Sequence, residues 1–175
     1  MRKVTFGVAS SLDDYITRKD GAIDWILRSE EAASAMAEFF KSVDTVAMGR
    51  KTYEPLLKSG APFPALPGVN SYVLSRTLKE SSDKGLEIIR EDAAEFVRKL
   101  KMEDSERVIA VTGGLLAKSL FEANLIDEVR VNLHPILLGS GIPLFHEMNH
   151  QIDLELVTCK PFKNGCVLAT YRVKH

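Results

Sequence analysis

The chain has 175 residues, 45% of them hydrophobic and 27% charged, and its 23 Lys and Arg against 24 Asp and Glu leave a formal net charge of −1. Such a composition belongs to a folded globular protein, and a charge this close to zero supplies no global attraction to nucleic acid or anionic lipid, so neither nucleic acid nor membrane is expected as a partner. No apolar run approaches ~18 residues and Met1 leads straight into strand-like sequence, which predicts a cytoplasmic protein, with residues 1–175 forming one domain.

The first strand is predicted over residues 4–9, with Val4, Phe6 and Val8 on one face. It ends in Ser10-Ser11-Leu12-Asp13-Asp14-Tyr15-Ile16. Ligand crevices of open α/β sheets lie outside the carboxyl ends of strands, so Ser11 and Asp13 are candidates for binding, although ordinary turn chemistry accounts for them equally well. Trp25 reads either as a lid over a flat ring or as a core anchor. Ser29 is placed to cap a helix whose inward face is Ala32, Ala35, Met36, Phe39 and Phe40. The helix dipole explains Glu30 and Glu31 in the first turn; alternatively, a carboxylate there, beside Trp25, could hold a ring nitrogen of a pterin-like or pyrimidine-like substrate.

Residues 43–48 form a short apolar strand that passes through Gly49 into a helix opening with Arg50, Lys51 and Thr52. A phosphate at this junction would meet backbone N–H groups and cationic side chains together, whereas a solvated basic helix start is the plainer reading. Pro62, Pro64, Pro67 and Gly68 mark a loop, and residues 71–74 a strand ending in Ser75-Arg76-Thr77. Hydroxyls with an arginine suit a phosphate monoester such as the 2′-phosphate that separates NADP from NAD. A strand at 86–89 and a helix at 92–100, with Ala93, Phe96, Val97 and Leu100 inward, come next.

A second strand-glycine-helix junction follows. Val108, Ile109 and Val111 suit a strand buried on both faces, and Leu116, Leu120 and Ala123 recur at helical spacing. Gly113 and Gly114 between them allow unusual backbone angles and the close approach of another molecule, and the next helix's N-terminus favours an anion; a tight turn alone would need the same residues. Residues 127–134 alternate through Val129, Val131 and Leu133, and the glycine-rich run 135–145 is too broken for a helix. Strands at 154–158 and 167–173 flank an Asn164-Gly165 turn. With those two as the whole loop, Lys163 faces Cys166 and Cys159 lies well down the other strand, so two reduced cysteines are expected; with four scattered histidines they make no zinc spacing, and no metal is expected. Strands alternating with helices and closed by a hairpin predict a three-layer α/β/α fold with a mainly parallel sheet and an antiparallel C-terminal hairpin.

Taken in order, Ser11-Leu12-Asp13, Met48-Gly49-Arg50-Lys51-Thr52-Tyr53, Leu74-Ser75-Arg76, Val111-Thr112-Gly113-Gly114 and Leu133-His134-Pro135-Ile136-Leu137-Leu138-Gly139-Ser140-Gly141 resemble the RibD C-terminal domain of the dihydrofolate-reductase-like superfamily, over nearly the whole chain. The resemblance implies an NADPH-binding fold, often a homodimer. Thr112, Gly113, Gly114, Leu115 and Leu116 would hold the pyrophosphate, while Gly49, Arg50, Lys51, Thr52, Ser75 and Arg76 receive the other phosphates and the adenosine end. It further implies hydride transfer to a pyrimidine- or pteridine-related small molecule, as in the 5-amino-6-(5-phosphoribosylamino)uracil reductase of riboflavin biosynthesis. Substrate contacts would come from Ser11, Tyr15, Trp25, Gly139 and Gly141, and the proton from Asp13, Glu30 or water.

Two departures bear on the substrate. Riboflavin-pathway reductases usually show Ser-x-Asp-Gly-Lys where this chain has Ser11-Leu12-Asp13-Asp14-Tyr15, and the His-x-Glu and Cys-x-x-Cys of their zinc deaminase partner are missing. Asp24-Trp25 followed by Glu30 is similar to the tryptophan and downstream acid of dihydrofolate reductases. A dihydrofolate-reductase-like pteridine reductase and a non-catalytic NADPH- or flavin-binding protein are therefore the alternatives.

Overall fold

The computed structural model describes residues 1–58, 68–79 and 85–175; the loop read at Pro62, Pro64 and Pro67 lies outside the described residues. The elements run β1 (Val4–Ser11), β2 (Tyr15–Thr17), α1 (Glu30–Phe40), β3 (Val43–Gly49), α2 (Arg50–Lys58), β4 (Asn70–Leu74), β5 (Leu86–Ile89), α3 (Ala93–Met102), β6 (Val108–Thr112), α4 (Gly114–Glu122), β7 (Glu128–His134), β8 (Ile142–Pro143), β9 (Leu154–Pro161) and β10 (Val167–Val173). Eight strands form one sheet in the order β5-β4-β3-β6-β1-β7-β10-β9, and β2 pairs separately with β8. Only β10 runs antiparallel to its neighbours β7 and β9; the other pairings of the large sheet are parallel. The α/β class and the mainly parallel sheet are as the alternation of elements predicts.

The alternating side chains of β1 explain its central place. Val4 and Phe6 are fully buried on the face that α3 and α4 cover, together with Ile109, Val111 and Val129 from the flanking strands. Phe96, Val97 and Leu100 of α3 and Leu116, Leu120 and Phe121 of α4 close that layer, with Phe6 edge-on to Phe121 at 6.1 Å between centroids. Each such side chain contributes roughly 1.5–3 kcal/mol by leaving water. On the other face, Phe39 and Phe40 of α1 and Tyr53 and Leu56 of α2 pack on Val43, Val46, Met48 and Val73. Helices thus cover both faces. Ser29 and Asp92 cap α1 and α3 by accepting backbone N–H groups.

Several boundaries differ from the sequence reading. β1 continues to Ser11 because its pairing with β7 runs on to Ser11 opposite His134. The C-terminal turn holds three residues, not two: Phe162 N–H donates to the Cys166 carbonyl at 2.8 Å, and Lys163-Asn164-Gly165 form the loop, with Gly165 at φ +87°. That left-handed residue ends a three-residue hairpin loop. Cys159 then pairs with Ala169, and both cysteines are free; burial pushes the Cys166 thiol pKa up.

At the amino ends of the central strands a charge is fully enclosed. Arg2 is 2% exposed, pairs with Asp44 and Glu103, and donates to Thr45 Oγ1 at 2.9 Å and the Arg107 carbonyl at 3.3 Å. Such burial is tolerated because each guanidinium nitrogen has an acceptor. This network ties the N-terminus to β3, α3 and the start of β6. The opposite, carboxyl ends of the same strands remain open, and they carry the cleft. Among the described residues no helix is long and apolar enough to cross a membrane.

Candidate functional site

A cleft of about 610 Å³ runs along the carboxyl ends of β4, β3, β6 and β1. With strands ~4.8 Å apart, three inter-strand steps give it a length of roughly 14 Å. Three of the predicted segments meet there: Gly49 to Thr52, Ser75 to Thr77, and Thr112 to Leu116 all line it. They are distant in sequence. The sheet unites them because β6 inserts between β3 and β1, placing the glycine pair beside the start of α2.

The cleft is chemically divided along its length. Arg50, Lys51 and Arg76 stand at the β3–β4 end, while Val8, Ile16, Ile23, Ile26 and Ile142 wall the β1 end. No carboxylate lines it among the described residues. Arg50 is partly engaged by Glu54, 2.9 Å away and one turn along α2. The Ser75 hydroxyl accepts the N–H groups of Thr77 (3.2 Å) and Leu78 (3.0 Å), so it shapes the turn that presents Arg76. Arg90 braces the same turn by donating to the carbonyls of Leu78 and Lys79. Arg76 itself is exposed and has no hydrogen bond or ion pair among the described residues.

The glycine pair has a different local reason from the one expected. Gly113 sits at φ +101°, and a Cβ there would lie 2.4 Å from Thr52 Oγ1. A Cβ on Gly114 would meet the Leu144 carbonyl at 2.8 Å and the His146 ring at 3.2 Å. The space read from sequence as room for another molecule is in part filled by this chain's own Thr52, Leu144 and His146. What the pair does present is the start of α4, which has no side-chain cap, unlike α1 and α3. Its first-turn N–H groups have no intrahelical acceptors and carry the positive end of the helix dipole into the cleft.

The structure separates the other candidates from this cleft. Ser11 Oγ donates to Asp13 Oδ1 at 2.6 Å and accepts Tyr15 N–H at 2.9 Å. The Asp13 carboxylate also accepts Leu138 N–H at 3.0 Å and Gly139 N–H at 2.7 Å. The Ser11 hydroxyl and these backbone donors hold the Asp13 carboxyl below the usual carboxylate range, so it stays ionised as a clasp between two loops. Tyr15 packs on Gly141, where a Cβ would also lie 2.2 Å from the Thr17 carbonyl, and Gly139 turns the chain at φ +71°. Trp25 is 4% exposed and meets His134 edge-on at 5.3 Å, which makes it the core anchor of its two readings. Glu30 is exposed on the first turn of α1; its neighbour Glu31 accepts Lys163 N–H at 2.8 Å. None of these seven residues, Ser11, Asp13, Tyr15, Trp25, Glu30, Gly139 and Gly141, lines the cleft.

Sequence reasoning missed other residues. His134 is fully buried, accepts Leu27 N–H on Nδ1 at 3.2 Å and lies 3.2 Å from the Asn132 carboxamide on Nε2; burial lowers its pKa. His146 lines the cleft from just past the glycine-rich run, with no helical or strand periodicity to announce it.

Comparison with known proteins agrees with this arrangement. A family model described as the RibD C-terminal domain matches residues 2–168. The chain belongs to the RibD C-terminal domain family. This RibD C-terminal domain chain is 35% identical over 162 residues to the uncharacterized protein YwjB of Bacillus subtilis, covering 92% of each. Among solved structures, a protein of Shewanella sp. PV-4 provisionally assigned to riboflavin biosynthesis superposes with a TM-score of 0.87 at 24% identity, over 99% of each chain. Dihydrofolate reductase of Enterococcus faecalis, solved with NADP(H), superposes with a TM-score of 0.72 at 17% identity, over 99% of this chain and 97% of that one. The RibD C-terminal domain thus shares its fold with dihydrofolate reductase.

Proposed function

We propose that the protein is an NADPH-dependent reductase acting on a pyrimidine- or pteridine-related ring, in the manner of 5-amino-6-(5-phosphoribosylamino)uracil reductase, and that residues 1–175 work as one cytoplasmic domain. One observation carries the reading: a single cleft joins three cationic side chains at its β3–β4 end, past an uncapped helix start that follows β6, to aliphatic side chains at its β1 end. This donor set fits a dinucleotide phosphate. The N–H groups of Gly114, Leu115 and Leu116 would receive the pyrophosphate, with Thr52 and Thr112 at its sides. Arg76, presented by the Ser75 turn and without a competing partner among the described residues, would take the 2′-phosphate, and Arg50 and Lys51 would offset the remaining charge.

NADPH, when bound, would supply hydride from its nicotinamide C4. Val8, Ile16, Ile23, Ile26 and Ile142 would sandwich the nicotinamide and the acceptor ring, orient them and exclude water from their contact. Asp13 is held ionised by its three hydrogen-bonding contacts and Glu30 lies outside the cleft lining, so the accompanying proton is assigned to water. That absence of a carboxylate among the described lining residues also favours a second reading, a protein that binds NADPH or a flavin without turnover.

Cofactor oxidation measured in parallel with the ribosylaminouracil phosphate and with dihydrofolate distinguishes these. Turnover with NADPH at least ten-fold faster than with NADH is expected. Tight NADPH binding with no turnover would favour the binding protein, and failure to bind NADPH would defeat both readings. The exposed Leu156 and Val157 of edge strand β9 further support a homodimer, since an apolar edge left open invites pairing; sedimentation equilibrium of the intact chain should give twice its 19.4 kDa mass.

A further inference from the structure

We infer that His146 is a cofactor-binding residue, whose imidazole donates a hydrogen bond to the diphosphate held by the first turn of α4. The inference rests on the dinucleotide reading of the cleft and adds to it a residue that no sequence pattern identifies. Three observations carry it. The ring lies against Gly114, with both Cδ2 and Nε2 only 3.2 Å from the position a Cβ would take there. It lines the same cleft as Gly113, Gly114 and Thr52. Finally, the imidazole is half-buried yet has no hydrogen bond or ion pair among the described residues. The imidazole lies against the first residue of α4, whose first-turn N–H groups have no intrahelical acceptor, so an anion between them would take hydrogen bonds from both.

The backbone that delivers His146 is firmly placed. Asp13 clasps Leu138 and Gly139 at one end of the segment, and β8 pairs with β2. Leu144 is buried and donates its N–H to the Asp14 carbonyl at 2.7 Å. Ile142 reaches the aliphatic end of the cleft from the same segment, so one strap supplies a wall to the ring end and a donor to the phosphate end.

Because a diphosphate is common to NADP+ and NAD+, the two cofactors locate the contact. Titration calorimetry of the intact protein should show His146→Ala weakening NADP+ and NAD+ by a similar factor, about five- to twenty-fold, corresponding to roughly 1–1.8 kcal/mol. His146→Gln, which keeps an N–H donor, should recover binding to within about three-fold of wild type, and melting temperatures should stay close to wild type in both variants. Unchanged affinity in His146→Ala, a loss confined to NADP+, or a loss that glutamine does not repair would overturn the assignment. If the wild type binds neither dinucleotide, the cofactor reading itself fails, an outcome distinct from wild-type binding that His146→Ala leaves intact.

Discussion

Gly113→Ala is expected to destabilise the protein by about 2–6 kcal/mol and to abolish measurable cofactor binding. Two separate effects add. At φ +101° an L side chain meets its own backbone, which costs of the order of 1–3 kcal/mol. The new methyl would also sit 2.4 Å from Thr52 Oγ1, and relieving that overlap in a packed junction costs about 1–3 kcal/mol more. For a chain of this size the sum corresponds to a melting temperature lower by roughly 4–24 °C. Function is expected to suffer beyond stability because Thr52 and the first turn of α4, which the methyl forces apart, are two walls of the proposed phosphate seat. Thermal unfolding of Gly113→Ala and of the double variant Gly113→Ala, Thr52→Ala checks the division: removing the Thr52 side chain should recover the steric share and leave the backbone share. A Gly113→Ala protein that melts with wild type and binds NADPH normally would show that neither effect operates.

Arg76→Ala is expected to weaken NADPH at least ten-fold, about 1.4 kcal/mol, and to leave NADH within two-fold. The selectivity follows from chemistry, since only NADPH carries the 2′-phosphate that a guanidinium can grip with two parallel hydrogen bonds. Among the described residues Arg76 has no hydrogen bond or ion pair that would compete for its guanidinium. Arg50 is shared with Glu54, whereas Arg76 is presented at the end of β4 by a turn that Ser75 and Arg90 hold in shape. Its exposure keeps the expected effect near the lower end of charge-assisted contacts, because water and salt screen it. Isothermal titration with both cofactors reads the outcome. Equal weakening of NADPH and NADH would move Arg76 from the 2′-phosphate to a contact the two cofactors share.

How much of this was legible beforehand can be followed through particular residues. The strand of Val4, Phe6 and Val8, the cap at Ser29, the helix face of Phe96, Val97 and Leu100, and the three strand ends bearing Gly49-Arg50, Ser75-Arg76 and Gly113-Gly114 were all readable, because periodicity, capping and turn chemistry act between near neighbours. The short pair β2–β8 was not, since strands of three and two residues carry no period and exist only where the chain folds back on itself. Nor could the hairpin loop be counted, because its third residue is set by the pairing of Phe162 with Cys166.

The candidate site divides along the same line. Cationic side chains and a helix start suited to phosphate are properties of short segments, and the sequence by itself determined them, along with the α/β class. Only the tertiary structure decided what the segments meet. The order β4-β3-β6-β1 arises from pairings far apart in the chain, and it alone sets the cationic end opposite an aliphatic one. The same long-range packing turned Asp13 into a clasp, enclosed Trp25 against His134, and brought His146 to Gly114. A side chain's chemistry is written in its type; whether that chemistry is free to act depends on which distant groups have already engaged it.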